Sequence, residues 1–236
     1  MKKSVKTVLV TGANRGLGFE VAREAAVKNL LVILTARNGE KGHQAARAVR
    51  ESTGGDVEFM KLDVSDRSGI SALASALRER GEAIDVLINN AAITLNGFDE
   101  GVARKTVDTN FYGPVNVTDA IRHLMPQGGN IVMVSSSAGQ ISILSPELKK
   151  RFTEENLSLE ELLGLVETFV DSVRLGLHKS EGWPSSAYGV SKAALNAYVR
   201  IMAPRFAERG IKINAVCPGW VHTDMGGPAA PRSLAE

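Results

Sequence analysis

The sequence has little cysteine, no long apolar run and almost no net charge. Cys217 is the single cysteine in 236 residues. That excludes an internal disulfide and makes a reducing compartment the simpler setting. No apolar stretch approaches the ~20 residues of a membrane helix. The segment after Met1-Lys2-Lys3 is too short for a secretory signal and runs directly into a turn motif. A cytoplasmic protein with no membrane partner is expected. A formal net charge of +2 gives no strong attraction to nucleic acid. Lys149-Lys150-Arg151 is short, followed by acidic residues, and reads as a solvated face. His43, His123, His178 and His222 have no metal-ligand spacing among themselves or with Cys217, so no metal site is expected. There is no internal repeat and no linker. A hydrophobic fraction of 44% over this length suits one sizeable core, and residues 1–236 read as one domain.

What the chain does have is regular alternation. Buried, β-branched segments at 5–11, 31–36, 57–62, 84–88, 129–134 and 211–216 read as strands. Helical patterns at 19–28, 39–52, 67–80 and 99–123 lie between the first five. This order predicts an α/β fold: a single doubly wound parallel sheet of Rossmann type with helices on both faces. In such sheets the ligand lies beyond the carboxyl ends of the strands. Polar clusters fall at those ends: Gly12-Ala13-Asn14-Arg15-Gly16-Leu17-Gly18, Arg37, Asp63-Val64, Asn89-Asn90-Ala91-Ala92, Ser135-Ser136-Ser137 and 217–225.

The first cluster is a glycine turn between a strand and a helix, the context a phosphate-binding loop needs. Glycines let the backbone approach a pyrophosphate, whose charge meets the helix N-terminus. Its spacing is G-x-x-x-G-x-G rather than G-x-G-x-x-G. An acidic residue past the second strand would bind a ribose 2′-hydroxyl, yet residues 35–37 are Thr, Ala and Arg. Arg37, with Arg15 in the loop, favours a 2′-phosphate and therefore NADPH over NADH.

Tyr188 and Lys192 stand four apart on the predicted helix that begins after Ser185-Ser186, so they share one face. A fixed ammonium and a helix N-terminus both favour the phenolate, and are expected to lower the Tyr188 pKa. The pair has the makings of a tuned proton donor. Between Ser136 and this helix lies an inserted segment, about 145–183. Ser145-Pro146 starts a short helix, and the capping box Ser158-Leu159-Glu160-Glu161 opens a longer one. Leu162, Leu165, Val166, Phe169, Val173 and Leu177 make its apolar stripe. The final residues, 226–236, lack periodicity and read as exposed and mobile.

Taken in order, these motifs resemble the short-chain dehydrogenase/reductase family from Thr11 to about Met225. The resemblance makes the glycine loop the cofactor loop and Asp63, followed by Val64, the adenine contact. Asn89-Asn90-Ala91-Ala92 is similar to the family's Asn-Asn-Ala-Gly, with Ala92 replacing the usual Gly. Asn110, Ser136, Tyr188 and Lys192 match its catalytic tetrad. Pro218-Gly219, Val221 and Thr223 match the segment beside the nicotinamide. The insertion, with Gly-Trp-Pro-Ser-Ser-Ala-Tyr and Cys-Pro-Gly-Trp-Val-His-Thr-Asp-Met, resembles the NADPH-dependent carbonyl reductases. There an added helical segment covers the face that other members use to form tetramers, which implies a monomer. Family members usually continue with another helix and a seventh strand, so the sixth strand is expected at an open edge.

The resemblance implies hydride transfer from NADPH to a ketone, aldehyde or quinone carbonyl. Tyr188 would donate the proton, and Lys192 would hold the nicotinamide ribose. Ser136, with Ser135 and Ser137 as competitors, would bind the carbonyl oxygen. Asn110 would anchor a water in the proton path. Trp220 either lines the substrate pocket or packs within its own loop. Two alternatives stay open: an NADPH-binding sensor without turnover, and a reductase of an activated carbon–carbon double bond.

Overall fold

The computed structural model describes residues 5–234. Six strands, β1 (Thr7–Val10), β2 (Leu31–Ala36), β3 (Val57–Lys61), β4 (Val86–Asn89), β5 (Asn130–Val134) and β6 (Lys212–Val216), form one sheet in the order β3-β2-β1-β4-β5-β6. Every pairing is parallel. The chain winds outward from β1 to β3, returns to β4 beside β1, and winds out the other way. That reversal is the topological switch point where such sheets bind ligands.

Alternation along the strands sorts the core into two layers. Val8, Val10, Val32 and Leu34 face α1 (Gly16–Val27) and α2 (Gly39–Thr53). Leu9, Ile33, Leu87 and Ile131 face a larger cluster built with α3 (Arg67–Glu79) and the later helices. The first layer stops short: Val132 and Val134 of β5 are half-buried, and Val216 of β6 is exposed. Strand β6 pairs on one side, as expected of an edge.

The helix expected over residues 99–123 is not continuous. Asp99 caps α4 (Glu100–Val107), a π-helical turn (Asp108–Tyr112) follows, and α5 (Gly113–Ile121) resumes before a single 3-10 turn. The π turn inserts one extra residue per turn and rotates Asn110 into the interior, where it is fully buried. Nothing in the apolar periodicity marks that insertion.

The inserted segment folds as α6 (Pro146–Thr153) and α7 (Leu159–Arg174), the latter opened by the predicted capping box. Leu162, Leu165, Val166, Phe169 and Val173 are buried against α4 and α8 (Ala187–Ala207). Leu177 departs from the predicted stripe. Helix α7 ends at Arg174, Gly176 takes φ 72°, and Leu177 is left 45% exposed. Arg104 of α4 grips Glu167 of α7 with both nitrogens, and the Tyr112 hydroxyl donates to the same carboxylate at 2.6 Å. Burial and that carboxylate push the Tyr112 pKa up, while Arg104 foremost holds Glu167 below its usual range.

The tail is also more ordered than its composition suggests. Arg232 forms a bridge with Val221 and exchanges backbone hydrogen bonds with Trp220 and His222. Residues 226–234 therefore turn back over the preceding loop. The last two positions of the predicted mobile stretch lie outside the described residues.

Candidate active site

The loop after β1 is shaped by close backbone approach. Gly12 takes φ 63°, and a Cβ there would stand 2.8 Å from the Ala91 Cα. Thr11, buried beside it, accepts the backbone N–H of Asn90 and of Ala91, each at 3.0 Å. The Asn90 side chain donates back to the carbonyls of Thr11 and Gly12 at 2.9 and 3.1 Å. The ends of β1 and β4 are thus locked together beneath the glycine turn. Ala92, where the family usually has Gly, lies on the wall of the same groove.

That groove has a volume of about 600 Å³. One end is walled by Gly12, Asn14, Arg15, Gly16, Leu17 and Gly18, with Arg37, Asp63 and Val64 beyond. Asn90 and Ala91 form its middle, and Ser136, Tyr188 and Lys192 the other end. Pro218, Gly219, Trp220, Val221 and Thr223 border it from the loop after β6. The expected catalytic and cofactor-binding residues meet here except Asn110, and Ala13 and Asn89 of the strand-end clusters do not line it.

Asn110 sits behind the wall. Its amide oxygen accepts the Ile93 N–H at 2.8 Å, and its nitrogen donates to the Ile93 carbonyl at 2.9 Å. A longer contact of 3.4 Å reaches Ser191 on α8. The side chain therefore ties the loop after β4 to the helix that carries Tyr188.

Ser186 caps α8 and accepts the Gly189 N–H. One turn further, Lys192 is 2% exposed and donates to the Val134 carbonyl at 2.7 Å. Its nitrogen lies 5.6 Å from the centre of the Tyr188 ring. Ser136 lines the groove with Tyr188, and its hydroxyl stands near enough to favour the phenolate. Ser135, by contrast, is buried and its Oγ lies 2.7 Å from Asn196 Oδ1, while Ser137 begins an exposed 3-10 turn. Of the three serines, Ser136 faces the phenol.

The expected depression of the Tyr188 pKa is not what this environment produces. Burial pushes the phenol upward and outweighs the opposing effect of the nearby Ser136 hydroxyl. Lys192 is itself pushed down to about 8, because burial disfavours its ammonium. Four-residue spacing correctly put both groups on one face; it carried no information on how dry that face would be.

Arg37 is exposed, and its side chain makes no ion pair or hydrogen bond among the described residues. Arg15, its expected companion, is paired across the groove with Asp224 at 2.5 Å. Asp224 was not marked by sequence spacing: 209 residues separate the two, and no local pattern signals such a contact. Trp220 stands at the groove and is also tied to its own loop. Its ring borders the groove and is 57% exposed, while its N–H donates to the Gly226 carbonyl within the loop. Thr11 and Ile93, which position Asn90 and Asn110, were also missed; their contacts are to backbone and leave no motif.

The residues present suit a dinucleotide. Positive-φ glycines at 12 and 16 open the floor to close approach, an uncommitted guanidinium stands at Arg37, and an acid, Asp63, lies beside it. Among the described residues no cluster of His, Cys, Asp and Glu could hold a metal ion, and no helix is long and apolar enough to cross a membrane.

Known proteins share this arrangement. A family model described as short chain dehydrogenase matches residues 6–145, and one described as enoyl-(acyl carrier protein) reductase matches 175–235. Carbonyl reductase (NADPH) 1 of Homo sapiens is 40% identical over 247 residues, covering 100% of this chain and 89% of that protein. Among solved structures, salutaridine reductase from Papaver somniferum superposes with a TM-score of 0.90 at 27% identity, covering 97% of this chain and 91% of the other. Menthone neomenthol reductase from Mentha piperita gives 0.83 at 30% identity, covering 92% and 90%.

Proposed function

The chain belongs to the short-chain dehydrogenase/reductase family, and from that premise we propose that it is an NADPH-dependent reductase of ketone, aldehyde or quinone carbonyls. The observation that carries this reading is that Ser136, Tyr188 and Lys192 line the same groove as Arg37 and the glycine loop. The whole chain acts as one NADP-binding domain, with residues 145–183 as a helical insertion.

Bound NADPH would supply the hydride; the protein supplies position, charge and the proton. Backbone N–H groups at the start of α1 and the glycine turn would hold the pyrophosphate, Arg15 and Arg37 the 2′-phosphate, and Asp63 with Val64 the adenine. Asn90, Ala91, Pro218, Gly219, Val221 and Thr223 would form the nicotinamide side. Ser136 donates to the substrate carbonyl oxygen and stabilises its growing negative charge. Tyr188 delivers the proton to that oxygen. A phenol whose pKa is raised by burial stays protonated at neutral pH, the state a donor requires. Lys192, near the Tyr188 ring, would hold the nicotinamide ribose and return the proton. Asn110 fixes the loop at Ile93 and would anchor the water that feeds Lys192. Trp220 offers a flat apolar surface to an aromatic substrate.

The test is NADPH oxidation with a panel of aromatic ketones and quinones, beside NADH and Tyr188→Phe. Turnover that falls about 10²–10⁴-fold in the variant, with NADPH affinity kept, supports the assignment. No turnover with any carbonyl, while NADPH still binds, favours a sensor. The enoyl-reductase description matched by residues 175–235 favours a second reading, reduction of an activated carbon–carbon double bond. NMR of the product shows which bond was reduced; the Tyr188–Ser136 pair favours the carbonyl.

We also propose that it works as a monomer in the cytoplasm. Helices α6 and α7 pack on α4 and α8, the face that the family resemblance gives to the tetramer contact, and the one cysteine suits a reducing compartment. Light scattering at micromolar concentration tests the monomer directly.

A further inference from the structure

We infer that Asp224 sets how tightly this chain holds a 2′-phosphorylated dinucleotide, by competing with the phosphate for Arg15. The inference rests on the NADPH reading above and concerns the same groove. Arg15 stands at the N-cap of α1, where its side chain makes no capping bond. It reaches across the groove instead, and both it and Asp224 are about two-thirds exposed, at 68% and 69%. Asp224 belongs to an arch closed by its own hydrogen bonds. The Trp220 N–H donates to the Gly226 carbonyl, and the Gly226 N–H donates to the Thr223 hydroxyl. Arg232 fastens its base through backbone bonds to Trp220 and His222. Across the groove the arch meets the glycine loop where Thr223 lies beside Gly16 and where Asp224 pairs with Arg15.

The two cations at this end are therefore in different states: Arg37 is open, and Arg15 is neutralised by a carboxylate. A 2′-phosphate that takes Arg15, as the NADPH reading requires, must draw it away from Asp224 or share it at the cost of like-charge repulsion. A dinucleotide with a 2′-hydroxyl meets neither obstacle. Asp224 thus acts as a positioning and specificity residue through Arg15, lowering affinity for the phosphorylated cofactor selectively.

The test is direct binding of NADP+ and of NAD+ to the whole chain, read by calorimetry, with no turnover involved. Asp224→Asn should tighten NADP+ about two- to fivefold, the range an exposed ion pair supports. NAD+ should change less than about twofold. Asp224→Glu, which keeps the charge, should stay near the parent. If both dinucleotides weaken together in Asp224→Asn, Asp224 merely staples the arch and the proposal is wrong. If the parent prefers NADP+ but Asp224→Asn leaves that affinity unchanged, the Asp224 proposal fails alone. If the parent shows no preference for NADP+, and Arg37→Ser alters neither affinity, the NADPH reading fails and takes this proposal with it.

Discussion

Lys192 donates to the Val134 carbonyl at 2.7 Å while its nitrogen stands 5.6 Å from the centre of the Tyr188 ring. The same burial that fixes the ammonium beside the phenol works against its charge, and its pKa falls to about 8 from 10.5.

A stability prediction follows from that shift. The unfolded chain binds the Lys192 proton up to about pH 10.5 and the folded chain releases it near 8. Between those values the unfolded state holds more protons, so this group's contribution to stability rises with pH. Below about pH 8 the contribution is lost. Tyr188 shifts upward, so its contribution is fully present below the ordinary phenol pKa and declines only as pH rises above it. Urea denaturation between pH 8 and 10 should show a rise that Lys192→Met abolishes, on the order of 3 kcal/mol at full extent. A parent and variant with parallel pH profiles would refute the assignment.

Ser135 and Ser136 should separate cleanly. Ser136→Ala removes the hydroxyl that meets Tyr188, and kcat should fall about 10²–10³-fold with little loss of stability. Ser135→Ala strips Asn196 of its buried partner, and should cost about 1–3 kcal/mol of stability. Its kcat should stay within about twofold of the parent. Steady-state kinetics beside thermal melts distinguish the two; equal losses in kcat would return Ser135 to contention.

Asn110→Ala should loosen the loop after β4. Both backbone groups of the half-buried Ile93 lose their partner, and each lost hydrogen bond costs about 0.5–1.5 kcal/mol. Hydrogen exchange should show faster opening of residues 92–98 in the variant, with β1 and β5 unchanged. Uniform acceleration over the whole sheet would mean that Asn110 is a general core residue.

Gly12→Ala should damage both folding and cofactor binding, since the new Cβ meets the Ala91 backbone at 2.8 Å and φ is 63°. Gly39→Ala at the start of α2 is the control, because nothing lies within 4 Å of its Cβ position and its φ is ordinary. Melting temperatures should drop for the first and hold or rise for the second.

The strands were legible because a parallel sheet covered on both faces demands unbroken apolar runs. Segment 31–36 matched β2 at both ends, and the groove-lining motifs were legible because each sits at a strand end, where polar residues interrupt that run. The π turn at Asn110 was not, since one extra residue in a turn leaves the apolar pattern on either side intact. Leu177 kept helical spacing while the backbone had already left the helix, at Gly176 with φ 72°.

By itself the sequence determined which residues line the groove, through local patterns that repeat at every strand end. Only the tertiary structure decided what those residues experience there. The upward shift at Tyr188, the downward shift at Lys192, the hydrogen bond that ties Ser135 to Asn196 and the capture of Arg15 by Asp224 all depend on neighbours brought from elsewhere in the chain. Electrostatic free energies follow distance and solvent access, and neither is written in the order of residues.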